Sequence, residues 1–319
     1  MPARFANRFP HPLRSRRALL AWWWRYLRQR PPPVRPPVTP PELAWIAANR
    51  HRDAVTWIGH ATCLLQLGGR YLLTDPQFSR RASPLPWLGP RRTVPPAPAL
   101  AQLPPLDFVL ISHDHYDHLD VASVRRLAAA QPQAHFVVPS GLRCWLLRHR
   151  VQRVIELEWW QAVDVGGCMI HAVPVQHFSG RGPFDRNRRL WCGYVIECAG
   201  RRTFFAGDTG YSPDFADIAG RLGSMDLALL PIGAYAPQPV MGAMHVDPEA
   251  AVQIHLDLGA RQSVAMHWGT FRLSEEPLDE PPQRLARALA ERGVPAGTFQ
   301  VLRHGQTLRL PAAAMAELR

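Results

Sequence analysis

The segment Ile111-Ser112-His113-Asp114-His115-Tyr116-Asp117-His118 places three histidines and two aspartates within six consecutive positions. The segment begins at the end of Leu106–Ser112, a continuous apolar run that is typical of a strand buried on both faces. Imidazole and carboxylate groups together form a zinc-type donor set, and the loop after a strand can bring them into a small volume. The chain has only 14 histidines, so a chance polar turn is a poor explanation. The segment predicts a metal site.

One loop cannot supply all the ligands of two metal ions, and further donors follow three other apolar runs. His177 follows 172–175, Asp208 follows 203–206, and His267 follows 263–266. A single histidine after a strand is usually a structural residue. Hard or borderline metal ligands at four independent strand ends instead predict that these side chains meet.

Alternating and continuous apolar runs predict strands with helices interleaved among them. The predicted strands cover 54–58, 63–67, 70–74, 106–112, 135–138, 168–175, 191–198, 202–206, 226–231 and 263–266, and the predicted helices cover 121–130, 248–258 and 281–292. Gly68-Gly69 marks a hairpin turn. This order indicates one α/β domain whose sheets are covered on both faces, with boundaries at 51–319.

The remaining residues, 1–50, form a basic arm rich in Trp and Pro. They contain ten arginines and one acid, Glu42, and therefore carry +9 of the net charge of +12, leaving the body nearly balanced. No nucleic-acid partner is predicted, because a domain that binds nucleic acid would carry a basic stripe over its fold. Five scattered cysteines without a C-x-x-C pair argue against a disulfide scaffold. They fit a reducing, cytoplasmic compartment, and the Arg-, Pro- and Ala-rich composition is typical of a GC-rich bacterial genome.

Within the arm, 14–30 has the pattern of a short helix in a membrane interface. Leu19, Leu20, Trp22, Trp23, Tyr26 and Leu27 fall on one broad face and Arg17, Arg25 and Arg28 on the other, which favours peripheral membrane association. Packing on the domain, a disordered arm and a twin-arginine export signal at Ser15-Arg16-Arg17 stay open as alternatives. The proline tract 31–41 predicts a stiff spacer, and no apolar run reaches the roughly 20 residues of a spanning helix.

The chain resembles the metallo-β-lactamase superfamily, whose His-x-His-x-Asp-His motif matches 113–118. Within it, the resemblance is closest to the N-acylphosphatidylethanolamine-hydrolysing phospholipase D group and runs from about Trp57 to Pro282. The segments that carry it are 57–62 (WIGHAT), 74–76 (TDP), 78–84 (FSRRASP), 177–179 (HFS), 231–235 (PIGAY), 245–249 (HVDPE) and 267–271 (HWGTF).

The resemblance implies a four-layer αββα sandwich with two zinc ions, although Fe, Mn or Co suits the same donors. His113, His115 and His177 are expected to hold the first ion, and Asp117, His118 and His267 the second, with Asp208 bridging. It further implies hydrolysis of a phospholipid phosphodiester by a metal-bridging hydroxide, a hydrophobic cavity near the metals, and a homodimer.

Other residues of the matched segments are expected around the metals. Asp75 is predicted to orient a ligand imidazole, unless it only ends a strand. His245 is predicted to contact phosphate or protonate the leaving group, while His60, Tyr116 and Trp268 are candidate substrate contacts. Helix capping near His245 and core packing of the aromatic rings are the structural alternatives.

Two other functions stay open at this point. A metal-dependent lactonase, or another carboxylic-ester or amide hydrolase, would use the same ligands on a carbonyl. A metal-bound, membrane-associated protein without catalysis is the second alternative.

Overall fold

The structure, a computed structural model, describes residues 4–11, 16–28, 34–295 and 297–311. Its strands are β1 (Ala54–Gly59), β2 (Thr62–Leu67), β3 (Arg70–Thr74), β4 (Phe108–Leu110), β5 (His135–Pro139), β6 (Val154–Leu157), β7 (Ala162–Val165), β8 (Cys168–Val173), β9 (Gly193–Cys198), β10 (Arg201–Phe205), β11 (Leu227–Pro231), β12 (Ser263–Met266), β13 (Phe299–Gln300) and β14 (Thr307–Arg309). Its helices are α1 (Arg16–Arg28), α2 (Leu43–Ala48), α3 (Val121–Ala130), α4 (Arg143–Arg148), α5 (Asp214–Leu222), α6 (Gln238–Met241), α7 (Pro248–Asp257) and α8 (Glu280–Glu291).

These strands form two seven-stranded mixed sheets. The first has the order β14-β1-β2-β3-β4-β5-β6 and the second β13-β12-β11-β10-β9-β8-β7. The sheets pack face to face, and the Tyr194 hydroxyl of β9 crosses between them to donate to the carbonyl oxygens of Ile111 and Val137.

The period-two alternation of a strand divides each sheet's side chains between two layers. In β2 and β3, Leu65 and Leu72 point into the core between the sheets, while their neighbours Leu64 and Leu73 pack under α2, α3 and α4. Helices α5, α7 and α8 cover the outer face of the second sheet. The predicted four-layer αββα sandwich is confirmed.

All the predicted strands and helices occur within a few residues of their expected bounds. Helices α2, α4, α5 and α6 and strands β6, β7, β13 and β14 were not predicted, since most are short. Strand β7 lies at a sheet edge with alternating exposed and half-buried residues. A disulfide joins Cys168 to Cys198; the cysteine spacing gave no sign of it, because it depends on the register that places them opposite each other in β8 and β9.

The described part of the arm packs against the body. Helix α1 rests on α6, where Leu19 and Trp22 join an apolar cluster with Val240 and Met241. The ends of the predicted interfacial helix and the first prolines of the spacer lie outside the described residues. None of the helices in the described ranges has the length and apolarity needed to cross a membrane.

Candidate metal centre

Every predicted metal ligand lies in a loop that follows a strand, at one edge of the two sheets. The 113–118 segment follows β4, His177 follows β8, Asp208 follows β10, and His267 directly follows β12. Strands β10, β11 and β12 run parallel, as do β3, β4 and β5, and the carboxyl ends of parallel strands share an edge. The topology therefore brings together residues up to 154 positions apart.

A first group of donors consists of His113, His115, His177 and Asp208, whose ligand atoms lie within 4.8 Å of one another. His113 Nε2 is 2.8 Å from His115 Nδ1, and His177 Nε2 is 3.2 Å from the same atom. Three imidazole nitrogens thus converge on one point.

A second group, equally tight, consists of His60, Asp117, His118 and His267. His118 Nε2 and His267 Nε2 are 3.3 Å apart, and His60 Nε2 is 2.9 Å from Asp117 Oδ2. His60 was expected only as a substrate contact. In the structure it is one of the donors of the second group, and its ring centroid lies 3.9 Å from that of His267, with the two planes tilted by 39°.

Asp208 stands between the two groups. Its Oδ1 is 2.9 Å from His267 Nε2, and its Oδ2 is 3.1 Å from His118 Nε2. The same Oδ2 is 3.8 Å from His177 Nε2 and 3.9 Å from His113 Nε2. This position suits a carboxylate that contacts ligands of both groups.

Hydrogen bonds on the far side of three imidazoles fix which nitrogen faces the centre. His177 Nδ1 donates to the Met244 carbonyl oxygen at 3.0 Å, and His118 Nδ1 donates to Asp75 Oδ2 at 2.6 Å. Ser112 Oγ donates to Asp75 and accepts from His113 Nδ1 at 2.9 Å. Each neutral ring then presents an unprotonated Nε2 inward, as a metal ligand must.

Burial and charge set the protonation of these groups. Burial, followed by the neighbouring imidazoles, holds the pKa of His113 well below its usual value, and burial does the same for His177. Burial also lowers the pKa of His118, but Asp208, Asp117 and Asp75 outweigh it and raise that pKa well above its usual value. The carboxylates thus create a place that favours positive charge.

Three residues of this centre have backbone conformations that residues other than glycine rarely adopt. His60, Asp75 and His267 have φ angles of 56°, 32° and 62°, in the left-handed region that non-glycine residues seldom occupy. Such strain persists only where surrounding contacts hold it, and it is concentrated at functional sites.

Two supporting residues have no sequence signal that could have identified them. Asn7 Oδ1 accepts from the His177 backbone N–H and from Trp191 Nε1, both at 3.1 Å. Asp114, inside the motif, is fully buried and accepts from Arg189 Nη1 and from the Gly180 backbone N–H, both at 2.7 Å. It thereby anchors the loop after His177.

A cavity of about 310 Å³ opens beside the donors. His115, Asp117, Asp208 and His245 supply its polar side, and its apolar side comes mainly from Leu19, Trp22, Phe178, Val240, Met241 and Leu273. Of the predicted substrate contacts, Tyr116 and His245 line this cavity. His60 and Trp268 do not, and Trp268 stacks on Trp57 in the core.

The donor set fits metal ions. Ligand atoms around tetrahedral zinc, with bonds of about 2.0–2.1 Å, lie roughly 3.3 Å apart, close to the nitrogen separations in both groups. Two imidazole nitrogens that face each other at 2.8–3.3 Å repel unless a proton or a metal cation lies between them. The predicted ligands and the observed groups differ only by His60.

Comparisons with known proteins agree with this fold. A family model described as a beta-lactamase superfamily domain matches residues 70–268. An uncharacterised protein of Mycobacterium tuberculosis is 45% identical over 244 residues, which are 74% of this chain and 64% of that protein, so this chain spans less than two thirds of its length. The N-acyl-phosphatidylethanolamine-hydrolyzing phospholipase D 1 of Caenorhabditis elegans is 40% identical over 248 residues, covering 74% of this chain and 70% of that protein.

Solved structures share the fold at lower identity. A metallo hydrolase from the archaeon Ignicoccus hospitalis aligns with a TM-score of 0.60 and 20% identity, covering 82% of this chain and 99% of that chain.

Proposed function

The chain belongs to the metallo-β-lactamase superfamily of metal-dependent hydrolases, and on that premise we propose that it is a phosphodiesterase that hydrolyses a phospholipid. The observation that carries the proposal is the pair of four-donor groups, with Asp208 between them, at the polar end of an apolar cavity. The N-acylphosphatidylethanolamine phospholipases D among its relatives support the substrate class.

Seven residues would hold two metal ions. His113, His115 and His177 would bind the first, Asp117, His118 and His267 the second, and Asp208 would contribute an oxygen to each. We propose zinc, while Fe, Mn and Co suit the same donors. Bound there, two divalent ions supply Lewis acidity to the phosphoryl oxygens and lower the pKa of a water molecule toward neutrality.

The chain's own side chains orient the substrate around these ions. His245 lines the cavity with its Nδ1 3.8 Å from Asp208 Oδ2, which supports a role in contacting the phosphate or protonating the leaving oxygen. The Tyr116 hydroxyl donates to the Arg181 carbonyl oxygen at 2.9 Å, so its ring, rather than its hydroxyl, would contact the substrate. Asp117, the carboxylate of the second group, borders the same space.

The apolar side of the cavity would receive part of an acyl chain. Its volume is at the lower end of the roughly 300–1,000 Å³ of ligand pockets, so the rest of a phospholipid would remain outside. We propose that the arm meets the membrane through α1, where Leu20, Trp23 and Trp24 are 72%, 58% and 58% exposed. The homodimer stays a prediction, which a mass measurement in solution tests.

Vesicles containing N-acylphosphatidylethanolamine test the proposal. The metal-loaded enzyme should release phosphatidic acid and N-acylethanolamine, identified by mass, and Asp208→Asn should lower turnover by orders of magnitude. Asp107→Asn is the control, because Asp107 pairs with Arg70 just before β4, at the opposite end of that strand from the donors. Absence of these products together with turnover of a lactone or simple ester would overturn the phospholipid substrate and leave a carbonyl hydrolase.

A further inference from the structure

The most exposed aromatic side chains of the described residues are confined to three segments. Trp23 and Trp24 of α1 are each 58% exposed, Trp87 is 69% exposed and Phe184 is 79% exposed. In the described ranges, these are the tryptophans and phenylalanines that expose more than half of their side chain. Single exposed apolar residues are common, but aromatic ones confined to so few segments require an explanation.

Each of the three segments is connected to the wall of the metal cavity. Helix α1 contributes Leu19 and Trp22 to that wall. The loop that carries Trp87 leaves the wall at Ala82, whose backbone N–H donates to the Pro90 carbonyl oxygen at 3.0 Å and closes the neck of the loop. Trp87 therefore lies near the tip of a loop whose two ends are joined beside the cavity.

The turn that carries Phe184 is attached to the cavity through Tyr116. The Arg181 guanidinium lies 4.0 Å over the Tyr116 ring, and the Arg181 carbonyl oxygen accepts the Tyr116 hydroxyl. Asp185 Oδ1 accepts from the backbone N–H groups of Arg181 and Gly182, at 3.0 and 2.8 Å. These bonds hold the turn that presents Phe184 in a fixed shape.

Basic residues accompany these aromatic ones. Helix α1 contains four arginines and no acid, and only its Arg25 is paired with a carboxylate in the described residues, that of Glu275 at 2.9 Å. The Trp87 loop is flanked by Arg80, Arg81 and Arg91, and the Phe184 turn is followed by Arg186 and Arg188. Amphipathic aromatic rings beside arginines are the chemistry of a membrane interface, where rings meet the acyl boundary and guanidinium groups meet phosphates.

We propose that these three segments, α1, loop 83–89 and turn 182–185, form one bilayer-binding rim around the mouth of the cavity, so that the cavity opens toward an anionic phospholipid surface. This inference rests on the proposed function for its occupant, since a phospholipid must leave the bilayer to reach the donors. It extends the membrane contact beyond the arm to the body of the enzyme. The chain of the substrate then has a short apolar path from the membrane to the cavity.

Substitutions on the body, away from α1, test the rim. The double variant W87S/F184S should weaken sedimentation with vesicles of phosphatidylglycerol and phosphatidylcholine by about tenfold per residue. Its hydrolysis of soluble bis(p-nitrophenyl) phosphate should stay within about twofold of wild type, because neither residue lines the cavity. The matched control, M169S/L256S, changes two exposed apolar residues outside these segments and should bind vesicles like wild type.

Three outcomes would overturn the rim: vesicle binding of W87S/F184S equal to wild type, loss of binding only in W23S/W24S, or wild-type protein that binds no vesicles. The second would make α1 a simple tether, and the third would assign the surface to a protein partner. Failure of the proposed function is a separate result. A wild-type enzyme that binds vesicles through the rim but cleaves no phosphodiester would keep the rim and refute the phosphodiesterase.

Discussion

Replacing Asp75 by asparagine should weaken metal binding without removing a single metal ligand. Asp75 is fully buried and accepts three hydrogen bonds, from the Ser112 backbone N–H at 2.7 Å, from Ser112 Oγ at 2.6 Å and from His118 Nδ1 at 2.6 Å. The asparagine has the same shape, but one of its two oxygens becomes an NH₂ donor. If the remaining oxygen keeps the Ser112 N–H, the NH₂ group faces His118 Nδ1.

That exchange forces His118 into the other tautomer, with its proton on Nε2. Nε2 is the nitrogen that points into the second donor group, so a protonated Nε2 cannot bind an ion. Loss of a hydrogen-bond partner of this kind lowers metal affinity about 10–100-fold, which is about 1.4–2.8 kcal/mol of binding free energy. We expect that loss for the second ion.

The assay is competition with a chromophoric chelator, followed by the metal content after dialysis. Asp107→Asn is the control, because Asp107 accepts from Arg70 Nη1 and the Tyr71 backbone N–H just before β4, at the opposite end of that strand from the donors. Ser112→Ala removes the acceptor of His113 Nδ1 and one donor to Asp75, but it leaves Asp75 to accept from His118 Nδ1. It should therefore weaken mainly the binding of the first ion. If the Asp75→Asn protein folds and binds both ions with wild-type affinity, the argument about tautomers is wrong.

Two further predictions concern residues outside the donor groups. Asn7→Ala leaves the His177 N–H and Trp191 Nε1 without their acceptor, which should cost about 1–3 kcal/mol of stability and speed metal loss; an unchanged melting temperature would contradict the role of Asn7. Burial, with the nearby Arg92, lowers the pKa of His304 to about 3. His304 therefore takes up a proton in the unfolded chain at a pH where it stays neutral in the folded protein. This group should lower the free energy of unfolding below pH 6.5, by up to about 1.4 kcal/mol per pH unit. Urea unfolding at pH 7 and 5 should give a smaller difference for His304→Gln than for wild type; equal differences would exclude His304.

The strands and the convergence of the donors were predictable because both depend on local pattern. Apolar runs such as 106–112 mark buried strands, and polar ligands directly after them fall at strand ends. Parallel neighbours then bring those ends to one edge. His113 and His267 could therefore be expected to meet although 154 positions separate them.

The rest depends on tertiary contacts that no local pattern encodes. His60 lies in the turn between β1 and β2 and joins the second group only because that turn folds over His267, whose N–H donates to the His60 carbonyl oxygen at 3.0 Å. Asn7 supports His177 from 170 positions away. The Cys168–Cys198 disulfide depends on the register of two strands.

The position of Asn7 changes how the arm must be studied. The sequence separates 1–50 from the body by charge and by a proline tract, which suggests a detachable segment whose deletion would affect only membrane binding. The structure instead has Asn7 against His177 and Arg8 paired with Asp214 and Asp217 at 2.6 and 2.8 Å. Deleting residues 1–41 would thus remove support for a predicted metal ligand together with the exposed tryptophans. Loss of vesicle hydrolysis in such a truncation would not distinguish the two effects, whereas surface substitutions at Trp23 and Trp24 would, because they leave the contact between Asn7 and His177 intact.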